Sequence, residues 1–144
     1  MKENAFWDTS ALVPLCIPNQ ASAQLRLLAR RYNPVVWWAC RVEARSAFAK
    51  QLRSGALTLK EHANAHDNLA TLRRRWEEMQ PSDDLRIVAE ELLDRYSLSA
   101  ADALQLAAAY TWTEQRPFGR SFIAGDKRLL AAAHAIGFRA IPID

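Results

Sequence analysis

The sequence predicts a three-layer α/β/α sandwich built around a central, mostly parallel sheet. Short apolar runs rich in β-branched and aromatic residues recur along the chain, and such runs are typical of buried strands. Longer segments with apolar residues at helical spacing separate these runs. Strands that alternate with helices favour βαβ units, whose parallel strands are joined by right-handed crossovers. Because the chain is 144 residues long, we expect one domain that covers residues 1–144.

Four apolar runs are predicted as strands. Residues 5–7 lie near the start of the chain, and residues 35–38 combine β-branched with aromatic side chains. Residues 121–124 follow much later, and residues 139–143 form the last run. That run contains Pro142, which cannot donate a backbone hydrogen bond and therefore suits a strand at the edge of the sheet.

The segments between the strands carry helix signals. Leucines interspersed with arginines indicate an amphipathic helix over residues 21–32. Ser99 is a typical N-cap for the alanine-rich helix that follows it, and Gly137 suits the end of the last helix. We predict helices over residues 10–16, 21–32, 41–52, 58–79, 85–96, 100–114 and 126–136.

The composition does not decide what kind of molecule the protein binds, but it indicates the cellular compartment in which the protein works. A net charge of +3 and a pI of about 9.1 are compatible with a nucleic-acid partner. The clustered arginines are equally compatible with solvent-exposed helix faces. Two cysteines are too few for a disulfide framework. We find no secretory leader and no apolar stretch of the ~20 residues needed to cross a bilayer, so we expect a cytoplasmic protein with no membrane partner.

Four acidic residues occupy related positions relative to the predicted elements. Asp8 directly follows the first strand, Glu43 lies on the first turn of the helix after the second, and Asp126 follows a later strand. Asp102 lies on the first turn of its own helix. Because the carboxyl ends of parallel strands meet at one edge of an open sheet, we expect these acids to converge there.

A cluster of four carboxylates suggests a metal site. Close like charges repel one another, and cations relieve that repulsion. Hard oxygen ligands favour Mg²⁺ or Mn²⁺ over zinc, which prefers His and Cys. Such ions activate water and stabilise a leaving oxygen in phosphodiester hydrolysis, so the cluster predicts a nuclease.

Each acid also has a simpler structural explanation. Ser99 and Asp102 have the spacing of a capping box. Asp126 and Asp8 are ordinary N-cap residues for the helices that follow them. Glu43 is a carboxylate favourably placed near a helix N-terminus. The joint placement of the four acids, rather than any one of them, favours the site.

Four segments contain the predicted acids: FWDTSALV from Phe6, VEARSA from Val42, LSAADALQLA from Leu98, and FIAGDKRLL from Phe122 followed by Gly137-Phe138. In these motifs the chain resembles the PIN-domain ribonucleases, and within them the VapC-type toxins of bacterial toxin–antitoxin pairs. The motifs occur in family order and span nearly the whole chain, and the third is the most specific. Ala124 departs from the pattern, because the family commonly has Thr or Ser two residues before its last aspartate.

The resemblance implies an endoribonuclease that depends on Mg²⁺ or Mn²⁺, is usually paired with a neutralising antitoxin and is often a homodimer. By that likeness Asp8 and Asp102 contribute most to the principal metal, and Glu43 completes the shell or orients water. Asp126 helps directly or through water, and Ser10 lends a hydroxyl. The number of metal ions stays open. The candidate contacts to RNA are the basic residues near these acids, Arg41, Arg45, Lys127 and Arg128.

Two other functions remain open. A haloacid-dehalogenase-like phosphatase also has an aspartate after its first strand, but it needs a second aspartate where this chain has Ser10. A catalytically weak or inactive RNA-binding module of the same fold is the other alternative. No Gly-x-Gly-x-x-Gly follows any predicted strand, which disfavours a dinucleotide-binding protein.

Overall fold

A computed structural model describes residues 2–144 of the chain. Within these residues five strands alternate with seven helices. All strand pairs are parallel, and the sheet order is β3-β2-β1-β4-β5. The predicted three-layer sandwich is therefore confirmed. The elements are β1 Glu3–Trp7, α1 Thr9–Cys16, α2 Ala23–Arg31, β2 Tyr32–Trp37, α3 Cys40–Arg53, α4 Leu59–Arg73, β3 Glu77–Met79, α5 Asp83–Arg95, α6 Ala100–Trp112, β4 Ser121–Ala124, α7 Lys127–Ile136 and β5 Arg139–Pro142.

Helices cover both faces of the sheet because successive side chains of a strand point to opposite faces. In β1, Phe6 packs in the cluster formed with α5, α6 and α7, whereas Trp7 packs in the cluster formed with α1 and α2. In β4, Phe122 packs in the cluster that contains Phe6, and Ile123 packs in the cluster that contains Trp7. A sheet that is buried on both sides requires apolar residues at successive positions, which is why these strands appear in the sequence as continuous apolar runs.

One helix prediction was wrong. Residues 58–79 do not form a single helix, because α4 ends at Arg73 and Glu77–Met79 forms the edge strand β3. This segment has a polar sequence with no strand pattern, so its conformation depends on its partner. β3 pairs with Val35–Trp37 of β2, and the Trp38 amide donates to the Met79 carbonyl at 3.0 Å. Tertiary pairing here outweighs local propensity.

The second strand is longer than predicted. β2 begins at Tyr32 and includes Pro34, which pairs with Ala5 of β1. β3 joins β2 only from Val35 onward, so at Pro34 the strand has one neighbour. Pro142 lies in β5, which is an edge strand as predicted.

The order of the strands creates a crevice between β1 and β4. β2 and then β3 are added on one side of β1, and β4 and then β5 are added on its other side. In open α/β sheets, ligands bind outside the carboxyl ends of the strands at such a switch point. The fold therefore places Asp8 and Gly125, which follow β1 and β4, at the expected position for a binding site.

The helices that cover the sheet are short. The longest, α4, has 15 residues. None of the helices within residues 2–144 has both the length and the apolar character needed to cross a membrane.

Candidate functional site

Electrostatic coupling links the four predicted acids in a chain that runs from Glu43 through Asp8 and Asp102 to Asp126. Asp8 is the N-cap of α1, Asp126 is the N-cap of α7, and Glu43 and Asp102 lie in the first turns of α3 and α6. The charges of Asp102 and Glu43 both raise the pKa of Asp8, and the charge of Asp126 raises the pKa of Asp102. The acids thus form one coupled group at the switch point.

Asp8 is the most deeply buried of the four, with 5% of its surface exposed. Its amide donates to the Ile123 carbonyl of β4 at 2.9 Å, which fixes its backbone at the crevice. Its Oδ2 accepts hydrogen bonds from the Ser10 amide at 3.1 Å and the Ser10 Oγ at 2.5 Å. Burial raises the pKa of Asp8 to about 6 against these hydrogen bonds, and the Asp102 and Glu43 charges add to the rise.

Ser10 links the first acid to the turn that carries the last. Its Oγ donates to Asp8 and accepts a hydrogen bond from the Gly125 amide at 2.8 Å. Asp126 follows Gly125, and its Oδ1 accepts from the Leu129 amide at 3.0 Å. Ala124, at the position where the resembled family commonly has Thr or Ser, is fully buried in β4. The hydroxyl that contacts this turn therefore comes from Ser10.

Glu43 is held by two residues that the sequence analysis missed. Its Oε1 accepts hydrogen bonds from Thr9 Oγ1 and Gln105 Nε2, both at 2.7 Å. Gln105 Nε2 also donates to Thr9 Oγ1 at 2.9 Å. Thr9 is adjacent to Asp8, and Gln105 is a polar residue in an apolar helix segment three positions after Asp102. That isolated polar residue was the available signal.

Asp102 is partly buried at the start of α6. Its amide donates to the Ser99 Oγ at 3.1 Å, as the N-cap prediction required. Burial raises the pKa of Asp102, the Asp126 charge raises it further, and hydrogen bonding with Ser99 opposes both effects. A cation bound beside such a carboxyl group would favour its ionised form.

Helix capping and membership of the acidic group prove compatible. Asp8 and Asp126 do cap their helices, but each cap uses only one carboxylate oxygen. Within residues 2–144, Asp8 Oδ1, Asp126 Oδ2 and Glu43 Oε2 accept no hydrogen bond. The protein thus anchors one oxygen of each of these three carboxylates and leaves the other unpartnered.

These residues fit a hard divalent cation by chemistry and by charge. The donors are carboxylate oxygens, and their repulsion at Asp8 is of the kind that a cation relieves. In residues 2–144, no three His, Cys, Asp or Glu side chains surround one point closely enough to hold an ion together. Mg²⁺ commonly binds through one or two carboxylates and keeps several waters, so a set of three is not required.

The four basic residues predicted near the acids are all exposed. Arg41 and Arg45 lie two positions before and after Glu43 in the sequence of α3, and they line a groove with Trp38 and Glu78. Lys127 and Arg128 begin α7 directly after Asp126. In the described part of the chain, the one ion pair between side chains joins Arg86 to Asp83. The four cations are therefore free to meet an anionic ligand.

Comparison with known proteins identifies the fold. No family model and no curated protein matches the chain. Among solved structures, the chain is similar to VapBC2 from Rickettsia felis, bound to a DNA fragment from its promoter (TM-score 0.67, 13% identity, 97% of this chain and 98% of that chain). It is also similar to a toxin–antitoxin complex from Klebsiella pneumoniae (TM-score 0.65, 15% identity, coverage 89% and 91%). A third similar structure is PAE2754 from Pyrobaculum aerophilum (TM-score 0.62, 22% identity, coverage 99% and 91%).

The chain has a PIN-like fold. The resemblance drawn from the sequence motifs is thereby confirmed at the level of architecture, since the matches extend over almost the whole length of both chains. The acidic group lies at the switch point of this PIN-like sheet.

Proposed function

We propose that this PIN-like protein is a metal-dependent endoribonuclease that uses Mg²⁺ or Mn²⁺. The observation that carries the proposal is the series of coupled carboxylates at the switch point, which runs from Glu43 through the buried Asp8 and Asp102 to Asp126. Exposed basic residues lie within two positions of Glu43 and Asp126 in the sequence, on α3 and α7, and cations of this kind contact the phosphates of a polyanion. The substrate is RNA, cleaved in an unpaired region where its bases are accessible.

Asp8 and Asp102 would hold the principal ion, with Glu43 and Asp126 as acceptors for its bound waters. When bound, the divalent cation supplies Lewis-acid activation of water and stabilisation of the leaving oxygen. Ser10 orients Asp8 through its hydroxyl and keeps the turn before Asp126 against β1. Arg41, Arg45, Lys127 and Arg128 position the phosphates of the strand.

We further propose that the protein is the toxin of a type II toxin–antitoxin pair, acts in the cytoplasm and is inhibited by a cognate antitoxin. Support comes from the PIN-like fold and from two similar structures that are toxin–antitoxin complexes, one of them bound to promoter DNA. A homodimer is the assembly suggested by the family resemblance. Co-purification with the product of an adjacent reading frame, followed by loss of cleavage, tests this partnership.

The decisive experiment compares Asp8→Asn and Asp102→Asn with the wild type in RNA cleavage with Mg²⁺ or Mn²⁺. Because metal-ion catalysis contributes several kcal/mol, we expect a rate loss of about 100-fold or more in either variant. EDTA should abolish wild-type cleavage. The matched control is Asp94→Asn, which removes an exposed carboxylate on α5. A folded Asp8→Asn protein with full activity refutes the assignment.

The same assays separate the two alternatives. A phosphatase hydrolyses a small phosphomonoester and leaves RNA intact, yet at position 10 this chain has a serine whose hydroxyl donates to Asp8. An inactive RNA-binding module binds RNA with no metal-dependent cleavage. Either outcome replaces the nuclease proposal.

A further inference from the structure

Gln105 is a polar residue in a position that the fold would normally fill with an apolar one. It lies in the middle of α6 and is 1% exposed. The next four residues of the helix, Leu106 to Ala109, are fully buried and apolar. A buried amide is unfavourable unless hydrogen bonds replace its contacts with water. The partners of Gln105 therefore indicate why a glutamine occupies this position.

Both partners belong to the acidic site. The two N–H groups of Gln105 Nε2 donate to Glu43 Oε1 and to Thr9 Oγ1, and the Thr9 hydroxyl itself donates to Glu43 Oε1. These three groups form a closed triangle that joins α1, α3 and α6. Glu43 is the one charged member, and both hydrogen bonds to it come from neutral donors.

The other end of the amide is unsatisfied. Gln105 Oε1 is buried and has no hydrogen-bond partner among residues 2–144. If the amide were turned over, this carbonyl oxygen would face Glu43 Oε1, and two acceptors would repel each other. The negative charge of Glu43 thus selects an orientation that leaves the Gln105 carbonyl without a partner. The arrangement serves the carboxylate and not the packing of α6.

We propose that Gln105 is a positioning residue for Glu43 and that it acts together with Thr9. The inference rests on the proposed function, because it treats Glu43 as an acceptor for water bound in the metal site. Glutamate has several rotatable bonds, and fixing Oε1 from two directions restricts them. The unpartnered Oε2 is then presented at one place, so that little conformational freedom remains to be lost when a cation binds.

The test is Gln105→Met, which keeps the length and helix propensity of the side chain and removes both donors. Direct Mn²⁺ titration of the metal-free protein, followed by electron paramagnetic resonance, should show a dissociation constant about 10-fold weaker than that of the wild type, as for other residues that orient metal ligands. RNA cleavage should need correspondingly more Mn²⁺ for half-saturation, with most of the maximal rate recovered at saturation. Crystals of the variant should show Glu43 in more than one conformation.

The matched control is Leu106→Met, which places the same residue at the neighbouring buried position and leaves the triangle intact. It should bind Mn²⁺ like the wild type. Thr9→Val is a second variant that keeps the side-chain shape, removes the other donor and remains available if Gln105→Met does not fold. Its expected effect is in the same direction.

The outcomes separate this inference from the function on which it rests. If the wild type binds Mn²⁺ and cleaves RNA but Gln105→Met and Thr9→Val bind Mn²⁺ equally well, Gln105 is not a positioning residue and the nuclease proposal stands. If the wild type binds no Mn²⁺ and cleaves no RNA, both proposals fail. A ten-fold loss in the two variants but not in Leu106→Met supports the inference.

Discussion

Asp8 and Glu43 belong to one acidic group, yet the protein holds them in different ways. Asp8 is buried, and both hydrogen bonds to its side chain come from Ser10, two residues along the chain. Glu43 is only partly buried, and its donors come from Thr9 and Gln105, which are 34 and 62 residues away in sequence. One carboxylate is fixed by the local start of a helix and the other by the packing of three helices.

This difference separates two physical requirements of the site. The local arrangement at Asp8 forms whenever α1 begins where it does, but burial there disfavours the charge. At Glu43 the arrangement depends on α1, α3 and α6 being assembled. We therefore expect substitutions at Asp8 to act mainly through the energy of its buried charge. Substitutions around Glu43 should act mainly through the position of the Glu43 side chain.

The largest expected effect is on folding stability in the metal-free protein. The pKa of Asp8 rises from 3.8 to about 6, so the folded state binds a proton more tightly than the unfolded state does. The ionised carboxylate therefore destabilises the fold, fully above pH 6 and progressively less as the pH falls toward 4. Asp8→Asn should remove this penalty and raise the free energy of unfolding by about 3 kcal/mol at neutral pH, with little gain at pH 4.

Urea denaturation in EDTA from pH 4 to pH 8 measures this gain. Glu43→Gln is the comparison variant, because Glu43 accepts two hydrogen bonds that a neutral amide oxygen accepts more weakly. Its free energy of unfolding should therefore show no gain at neutral pH. Asp94→Asn, with an exposed side chain, should show no change between the two ends of the range. A gain in Asp8→Asn that is equal at pH 4 and pH 7 would contradict burial as its cause.

The next effect concerns Ser10, whose hydroxyl joins Asp8 to the turn before Asp126. Ser10→Ala should weaken Mn²⁺ binding about 10-fold, like the loss of other groups that orient metal ligands. It should also increase hydrogen exchange at the Gly125 amide, which loses its acceptor. Gln105→Met should leave that amide protected. Ser46→Ala, an exposed change on α3, is the control, and unaltered exchange at Gly125 in Ser10→Ala would show that the hydroxyl does not hold the turn.

The candidate site residues that could be predicted from the sequence are those whose positions depend on local contacts. Asp8, Glu43, Asp102 and Asp126 could be located because each follows a strand end or begins a helix, and both signals are local. Ser10 was named from the family resemblance, and its contact with Asp8, two residues before it, is local as well. In each case the chain direction and the parallel sheet decide the position, so no long-range packing had to be known.

The missed features depend on packing between distant segments. The hydrogen bonds of Gln105 and Thr9 to Glu43 link three helices, and only the folded chain shows that these side chains meet. Strand β3 was missed for a similar reason, because Glu77–Met79 becomes a strand only by pairing with β2. An isolated polar residue in an apolar helix was visible as a signal, but its partner was not.

The smallest expected effect tests whether the basic residues on the two sides of the site contribute alike to RNA binding. Arg41 and Arg45 accompany Glu43, whereas Lys127 and Arg128 follow Asp126. For single-stranded nucleic acid, the logarithm of the binding constant falls with the logarithm of the salt concentration with a slope of about −0.7 per phosphate contact. Changing either pair to glutamine in the Asp8→Asn background should therefore make this slope shallower by about 1.4. The affinity for single-stranded RNA should fall several-fold. The control is the exposed pair Arg73 and Arg74, changed to glutamine with the same loss of charge. If that change lowers the slope equally, binding follows net charge alone, and the cations beside the acids have no special role in positioning the strand.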